Sequence, residues 1–384
     1  MRKSAERLFV SSSLDLSVLF DGFRDKETIF ALKRKITEDA KKLKEKLYIM
    51  EVCGGHTHTI MKYGINQMMP DNIEFVHGPG CPVCIMPKGR IDAAIALAQM
   101  KDSILVTLGD MIRVPGSKKS LSQIRGDGAD VRFVYSPTEI LKIAEQNPNK
   151  KVIYFAIGFE TTTPMTAALM DRAIKSGLTN IYYAINHVTV PEPMCAIMDD
   201  HETKVNAFLA PAHVSVITGS KIYEPISEKY GVPIVAAGFE PVDIMQAISM
   251  LVVQKLEGRA QTEIEYTRSV NTEPNPKAME LINKYMEVDD SFIWRGIGAI
   301  AKSSLRIREE FAYLDAYKVF ADALPKESAK DHKACICGEV LKGKAKPYDC
   351  KVFGTACTPS SPLGSCMVSS EGACAAYFKY GKSI

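Results

Sequence analysis

The chain has 384 residues, with 48 Lys plus Arg against 45 Asp plus Glu and a formal net charge of +3. At about 150 residues per domain, this length suggests two or three domains. Hydrophobic residues at 46% and charged residues at 24% exclude a disordered chain, and near-neutrality leaves no large field for non-specific nucleic-acid binding.

No stretch reaches the ~18 consecutive apolar residues of a membrane helix. The opening MRKSAERLFVSSSLDLSVLFDG lacks the uninterrupted apolar core of a secretory signal, so a cytoplasmic protein is expected. The next segment has helical periodicity at Leu32, Ile36, Ala40, Leu43 and Leu47. Its lysines, interleaved with Glu38, Asp39 and Glu45, read as a solvated face, with a basic docking surface as the alternative.

From residue 48, short apolar runs alternate with amphipathic helices. A first set of strands is expected at 48–52, 73–77, 104–108 and 131–135, and a second at 152–157, 181–186, 207–210 and 233–238. Ser136-Pro137-Thr138-Glu139 carries a helix start with a capping-box Glu. Another helix is expected from Glu240-Pro241 to about Gly258. This pattern predicts two Rossmann-like parallel α/β domains facing a cleft, plus a cysteine-rich C-terminal domain. The expected parts are an N-terminal helical segment (1–47) packing with the C-terminal part, α/β domains at 48–147 and 148–264, and a helical segment with the cysteine-rich domain at 265–384.

In open α/β sheets, ligands bind beyond the carboxyl ends of the strands. Seven such ends here are polar: CGGHTH (53–58), GPGCPVC (78–84), GDM (109–111), GFETT (158–162), Asn186-His187, Pro211-Ala212-His213 and Gly238-Phe239-Glu240. One cleft lined by Cys53, His56, Asp110, Glu160 and His187 is the expectation. Helix capping is the competing reading for Asp110 and Glu240. Cys53 and His56 pair a soft thiolate with an imidazole able to hold iron, copper or zinc, beside two glycines that let the backbone approach a ligand closely. The alternative for the pair is a buried structural role. Cys81 and Cys84 form a C-x-x-C that either chelates a metal or closes a redox disulfide. Neither a dinucleotide loop nor a phosphate-binding loop is present.

Ten cysteines in a reducing compartment point to metal or redox chemistry. Cys195 lies outside the motifs and reads as a packing residue. Six cysteines (Cys335, Cys337, Cys350, Cys357, Cys366 and Cys374) fall within 40 residues. An iron–sulfur cluster takes four thiolates and would leave two for a redox pair. The 12, 6, 8 and 7 residues separating the cysteines from Cys337 to Cys374 do not form the paired knuckles of a zinc site, which is the alternative.

These motifs, with GDMIRVPG (109–116), PAHVSVITG (211–219), GFEPVD (238–243) and the tail from Cys335 to Tyr380, resemble those of the HypD family of NiFe-hydrogenase maturation proteins across essentially the whole chain. The resemblance implies a scaffold that works with a small HypC-type partner. Together they would carry an iron atom bearing two cyanides and one carbon monoxide, destined for the hydrogenase large subunit. A HypE-type partner would deliver cyanide made from carbamoyl phosphate. It further implies Cys53 as iron ligand, His56 as ligand or supporting group, and Cys81 and Cys84 as a redox pair also implicated in iron binding. Cys335, Cys350, Cys357 and Cys374 would hold a 4Fe-4S cluster, with Cys337 and Cys366 as the disulfide-forming pair beside it, similar to ferredoxin–thioredoxin reductase. Glu371, in the tail motif, joins the thiols and His56 in the expected reactive set. The Cys337–Cys366 pair is expected between the cluster and the Cys81–Cys84 loop. A cluster-dependent disulfide reductase and a zinc-stabilised binding module stand as alternatives.

Overall fold

A strand sealed on both faces needs apolar side chains at every position, and the strand runs of this chain are of that kind. The computed structural model describes residues 21–327 and 331–381, so the first twenty residues of the expected 1–47 segment lie outside the described residues. Nine strands build two sheets: β1 (Leu47–Glu51), β2 (Ile73–His77), β3 (Ser103–Leu108), β4 (Val131–Val134), β5 (Lys151–Gly158), β6 (Ile181–His187), β7 (Ala207–Pro211), β8 (Ile234–Ala237) and β9 (Thr262–Ile264). The first sheet runs β2-β1-β7-β8-β9 and the second β4-β3-β5-β6, with all pairings parallel. No helix among the described residues is long and apolar enough to cross a membrane.

All eight expected strands form, but not in consecutive groups of four. The chain leaves the first sheet after β2, completes the second with β3–β6, and returns to lay β7 beside β1, pairing Ile49 with Ala207 and Glu51 with Leu209. Every strand is a similar apolar run, so order along the chain does not reveal the partner. The ninth strand, Thr262-Glu263-Ile264, has no apolar run to announce it.

Alternation along β5 divides the core. Ile153, Phe155 and Ile157 enter a cluster with Met50, Val52 and Phe208 of the first sheet, so the two sheets share that core. Val152, Tyr154 and Ala156 face the opposite layer with Leu169 and Met170 of the helix Thr163–Lys175. The other face of the first sheet is covered by the helices Lys26–Ala40 and Pro241–Leu256.

The N-terminal helix is shorter than its periodicity suggests. It ends at Ala40, and Leu47 opens β1. It packs on the helix Pro241–Leu256 rather than on the C-terminal part, because Ile36 and Ala40 complete the core beneath that helix. Lys35 and Lys42 pair with Asp39, and Lys41 with Glu38, as on a solvated face.

Among the described residues, the stretch 265–330, expected to be helical, contains the helix Pro276–Tyr285, the single-turn helix Ala316–Val319 and four short strands. These are β10 (Met286–Val288), β11 (Ser291–Trp294), β12 (Gly298–Ala301) and β13 (Leu305–Ile307), paired antiparallel as β10–β13 and β11–β12. Such strands are too short to show a clear period. The tail folds as turns around two short helices, Cys337–Leu341 and Ala373–Tyr380.

Candidate metal and thiol site

Strand order reverses between β1 and β7 in the first sheet and between β3 and β5 in the second. At such points the loops leave in opposite directions and open a crevice beyond the strand ends. Here the two crevices face each other. One cavity of about 390 Å³ is lined by Val52, Cys53 and Pro211 from the first sheet and by Leu108, Asp110, Ile157 and Gly158 from the second. Thr161, Thr162, His213 and the tail residues Ser369, Ser370 and Glu371 complete the wall.

Of the five side chains expected to line the cleft, Cys53 and Asp110 do so. His56 and His187 are fully buried, and Glu160 is buried behind the wall. His56 Nε2 lies 3.2 and 3.0 Å from the carbonyls of Ala237 and Gly238, and its ring stacks on Phe239 at 4.6 Å. Its Nδ1 is buried without a partner, and burial pushes the imidazole down to about 4, so the ring is neutral. His187 is likewise pushed down to about 4 by burial, with Nε2 2.8 Å from Thr166 Oγ1. Burial raises Glu160 to about 8. Glu240 proves to be a cap: it closes a capping box on the helix Pro241–Leu256 and pairs with Arg24.

Cys53, two residues past the end of β1, is extended and occupies the N-cap position of the nine-residue helix Gly54–Lys62. Desolvation, then the neighbouring Glu371 carboxyl, push its thiol up to about 12, against the hydrogen bonding from Gly55 and His56. A bound cation would have to displace that proton. The glycines around it admit protein, not an open ligand space. A Cβ at Gly54 would lie 2.3 Å from the Glu371 carbonyl oxygen, and one at Gly55 would lie 2.7 Å from the Phe239 ring. A Cβ at Gly80 would lie 2.3 Å from Cys53 Cα, so the two N-terminal cysteine loops touch because residue 80 is glycine.

The tail docks directly on the Cys81–Cys84 loop. Ser365 Oγ donates to the Cys84 carbonyl at 2.5 Å. Cys81 and Cys84, Cys84 and Cys366, Cys366 and Cys337, and Cys337 and Cys335 are near enough for each thiol to act on the next. Five thiols therefore lie in one neighbourhood, with Cys366 and Cys337 near the Cys81–Cys84 loop. Burial raises Cys84 well above the usual thiol range. For Cys337 the bond with Cys335 lowers it, but the bond with Cys366 and burial prevail and raise it. For Cys366 the bond with Cys337 lowers it, but the bond with Cys84 and burial prevail.

All six tail cysteines, Cys335, Cys337, Cys350, Cys357, Cys366 and Cys374, line one small void with Ile336, Val340, Val352, Phe353, Gly364 and Met367. Burial, followed by Cys335, Cys357 and Cys350, raises Cys374. Six soft donors in an apolar enclosure include the four thiolates that a cluster takes. Gly364 supports that fit, because a Cβ there would lie 2.6 Å from Cys335 Sγ. Among the described residues, no three His, Cys, Asp or Glu side chains converge at the spacing of a single bound metal ion. Cys195 is half-buried and packs against the shared core.

Sequence reasoning missed a buried network under Cys53. His77 Nδ1 donates to Glu51 Oε1, Thr57 Oγ1 donates to the same oxygen at 3.0 Å, and His77 Nε2 lies 2.9 Å from the Tyr377 hydroxyl. Glu51 and His77 are directly paired across β1 and β2. A lone Glu in the run LYIME and a lone His ending IEFVH were the available signals. The network ties the tail helix to the strand that presents Cys53.

A family model described as HypD, hydrogenase formation hypA family, matches residues 27–381. Similar proteins include the hydrogenase maturation factor HypD of Azotobacter vinelandii, 50% identical over 368 residues that cover 94% of this chain and 96% of that protein. The HypD of Rhizobium leguminosarum bv. viciae is 46% identical over 369 residues, covering 94% and 95%. That of Escherichia coli K12 is 42% identical over 364 residues, covering 94% and 97%.

Proposed function

The chain belongs to the HypD family of hydrogenase maturation factors, and on that premise we propose that it is the scaffold on which an iron atom receives two cyanides and one carbon monoxide. The observation that carries the reading is the position of Cys53, at the switch point of one sheet and in a cavity closed by the other. A thiolate there gives the iron one soft protein ligand and leaves its other positions for diatomic ligands and a cysteine of a HypC-type partner. The iron would be a cargo, later released to the hydrogenase large subunit. A HypE-type partner delivers the cyanide, and the complex works in the cytoplasm.

Cys335, Cys350, Cys357 and Cys374 hold a 4Fe-4S cluster, which supplies single electrons when bound. The two thiol pairs, Cys81–Cys84 and Cys337–Cys366, meet at the Cys84–Cys366 contact. Exchange there passes through a mixed disulfide: one pair is oxidised as the other is reduced, and the two protons released by the first are taken up by the second. His56 stays neutral and braces the loop through its bonds to the β8 end. Glu371 and Asp110 put carboxyls on the wall facing Cys53.

The test is anaerobic purification with and without the HypC-type partner. Cys53→Ala should keep the brown colour and about four irons per chain, still bind the partner, and lose the cyanide and carbonyl infrared bands. Cys350→Ala should lose colour and iron, while Cys337→Ala keeps most of both. Full-strength bands in Cys53→Ala, or a colourless zinc protein, would refute the reading.

A further inference from the structure

Among the described residues, Arg295 is the only Lys or Arg that is buried, at 4% exposure. A guanidinium does not deprotonate in proteins, so its charge stays in the interior and must be compensated there. Nη2 lies 2.8 Å from Asp331 Oδ1, itself 40% exposed. The other terminal nitrogen, Nη1, is buried with no hydrogen-bond partner. A buried charged donor left without an acceptor is costly, and an anion that reaches it removes that cost.

Arg295 and Asp331 both line a cavity of about 720 Å³, distinct from the one that holds Cys53, so their ion pair sets the guanidinium in its wall. The charge of that wall is one-sided. Among the described residues, Lys88, Arg90 and Arg295 stand there against Asp331 alone. Arg90 lies over the rings of Tyr317 and Phe292, 4.3 and 5.6 Å from their centroids, and is in no ion pair among the described residues. Asp315 is close enough to feel its charge. The same wall holds the start of the helix Lys88–Ala98. Pro87 occupies its N-cap without a side-chain hydrogen bond, and the Pro87 carbonyl accepts from the amides of Arg90 and Ile91. The Gly89 amide, also at the cavity, belongs to the positive end of the helix.

We propose that this cavity binds a small organic anion, whose phosphate or carboxylate head accepts from Arg295 Nη1 and whose body rests against Phe292 and Tyr317. An oxyanion takes charge-assisted bonds from a guanidinium and from helix amides together. The cavity has the size of an organic ligand's pocket, roughly 300–1,000 Å³, rather than that of a bare ion's. Trp294 lines it, and the Trp294 ring lies 6.0 Å from that of Phe159, which lines the cavity of Cys53. Anion and iron would therefore occupy neighbouring but separate cavities, and the inference stands without the iron and cluster readings.

The experiment is isothermal titration calorimetry of the full chain with phenyl phosphate, benzoate and the neutral benzyl alcohol. Wild type should bind at least one of the two anions saturably below about 10 mM, and benzyl alcohol at least about tenfold more weakly. Arg295→Gln should weaken anion binding at least about tenfold, the scale of a lost charge-assisted hydrogen bond. Arg90→Gln should weaken it at least about threefold. It reads the same site should Arg295→Gln fail to fold, which far-UV circular dichroism checks. Phenyl phosphate binding more tightly than benzoate assigns a phosphate head, and the reverse assigns a carboxylate. No saturable binding of either anion would overturn the inference. So would benzyl alcohol binding as tightly as the anions, or folded Arg295→Gln and Arg90→Gln both binding as wild type does.

Discussion

Glu160 allows the buried second sheet to be tested through pH. Its Oε1 accepts from the Val190 N–H at 2.9 Å, whereas Oε2 is buried without a partner. Burial is the main cause that raises the carboxyl from 4.5 to about 8. Below 4.5 both folded and unfolded chains carry the proton. As pH rises from 4.5 toward 8, the unfolded chain releases it and the folded chain keeps it, so stability falls with pH until the folded carboxyl ionises. At about 1.4 kcal/mol per tenfold change in proton affinity, the full displacement is worth roughly 4–5 kcal/mol. Glu160→Gln keeps the acceptor and removes the titration. In urea unfolding of the reduced, cluster-free chain, the advantage of the variant over wild type should grow by roughly 3 kcal/mol between about pH 5.5 and pH 8.5. His56 and His187, depressed to about 4, act with the opposite sign. Their contribution is lost as pH falls from 6.5 toward 4, and it cancels in the comparison because both proteins retain them. Parallel stability–pH curves for the two proteins would show that Glu160 titrates normally and that this reading of its burial is wrong.

Gly80→Ala would drive a Cβ into Cys53 backbone atoms that no side chain can vacate. It should cost ~1–3 kcal/mol in urea unfolding and weaken the infrared bands of the partner complex, and an unaltered midpoint would contradict it. Tyr377→Phe leaves His77 Nε2 without its partner. The expected loss is ~1–3 kcal/mol by the same assay, and no loss would mean that the network does not hold the tail. Glu240→Ala removes a helix cap whose ion pair with Arg24 is exposed. It should cost ~0.5–2 kcal/mol with iron content unchanged, and a fall in iron would favour the ligand-binding reading of this strand end over capping.

Much of the molecule was legible without coordinates because the signals are local. Eight strands announced themselves as apolar runs, and the helix from Pro241 was marked by its cap, where Glu240 and Asp243 form the capping box. The polar strand ends pointed to a common cleft, and Cys53 and Asp110 do share one. His56, Glu160 and His187 carried the same outward signal but are buried. A motif shows that a residue follows a strand, not which side of the loop its side chain takes.

Sequence alone determined the parallel α/β class, the clustering of six thiols in the tail and the family likeness. Each depends on residue type and spacing within one segment. Tertiary structure alone decided that β7 returns to β1 after the whole second sheet has formed, which creates the switch point beside Cys53. It also decided that Cys84 lies near Cys366 and that His77 joins Glu51 to Tyr377. Arg295, a single charge among apolar neighbours in SFIWRGIG, gave no local sign that it would be buried beside Asp331 in the wall of a second cavity. These contacts join segments far apart along the chain, and they follow from how buried faces find one another rather than from any local preference.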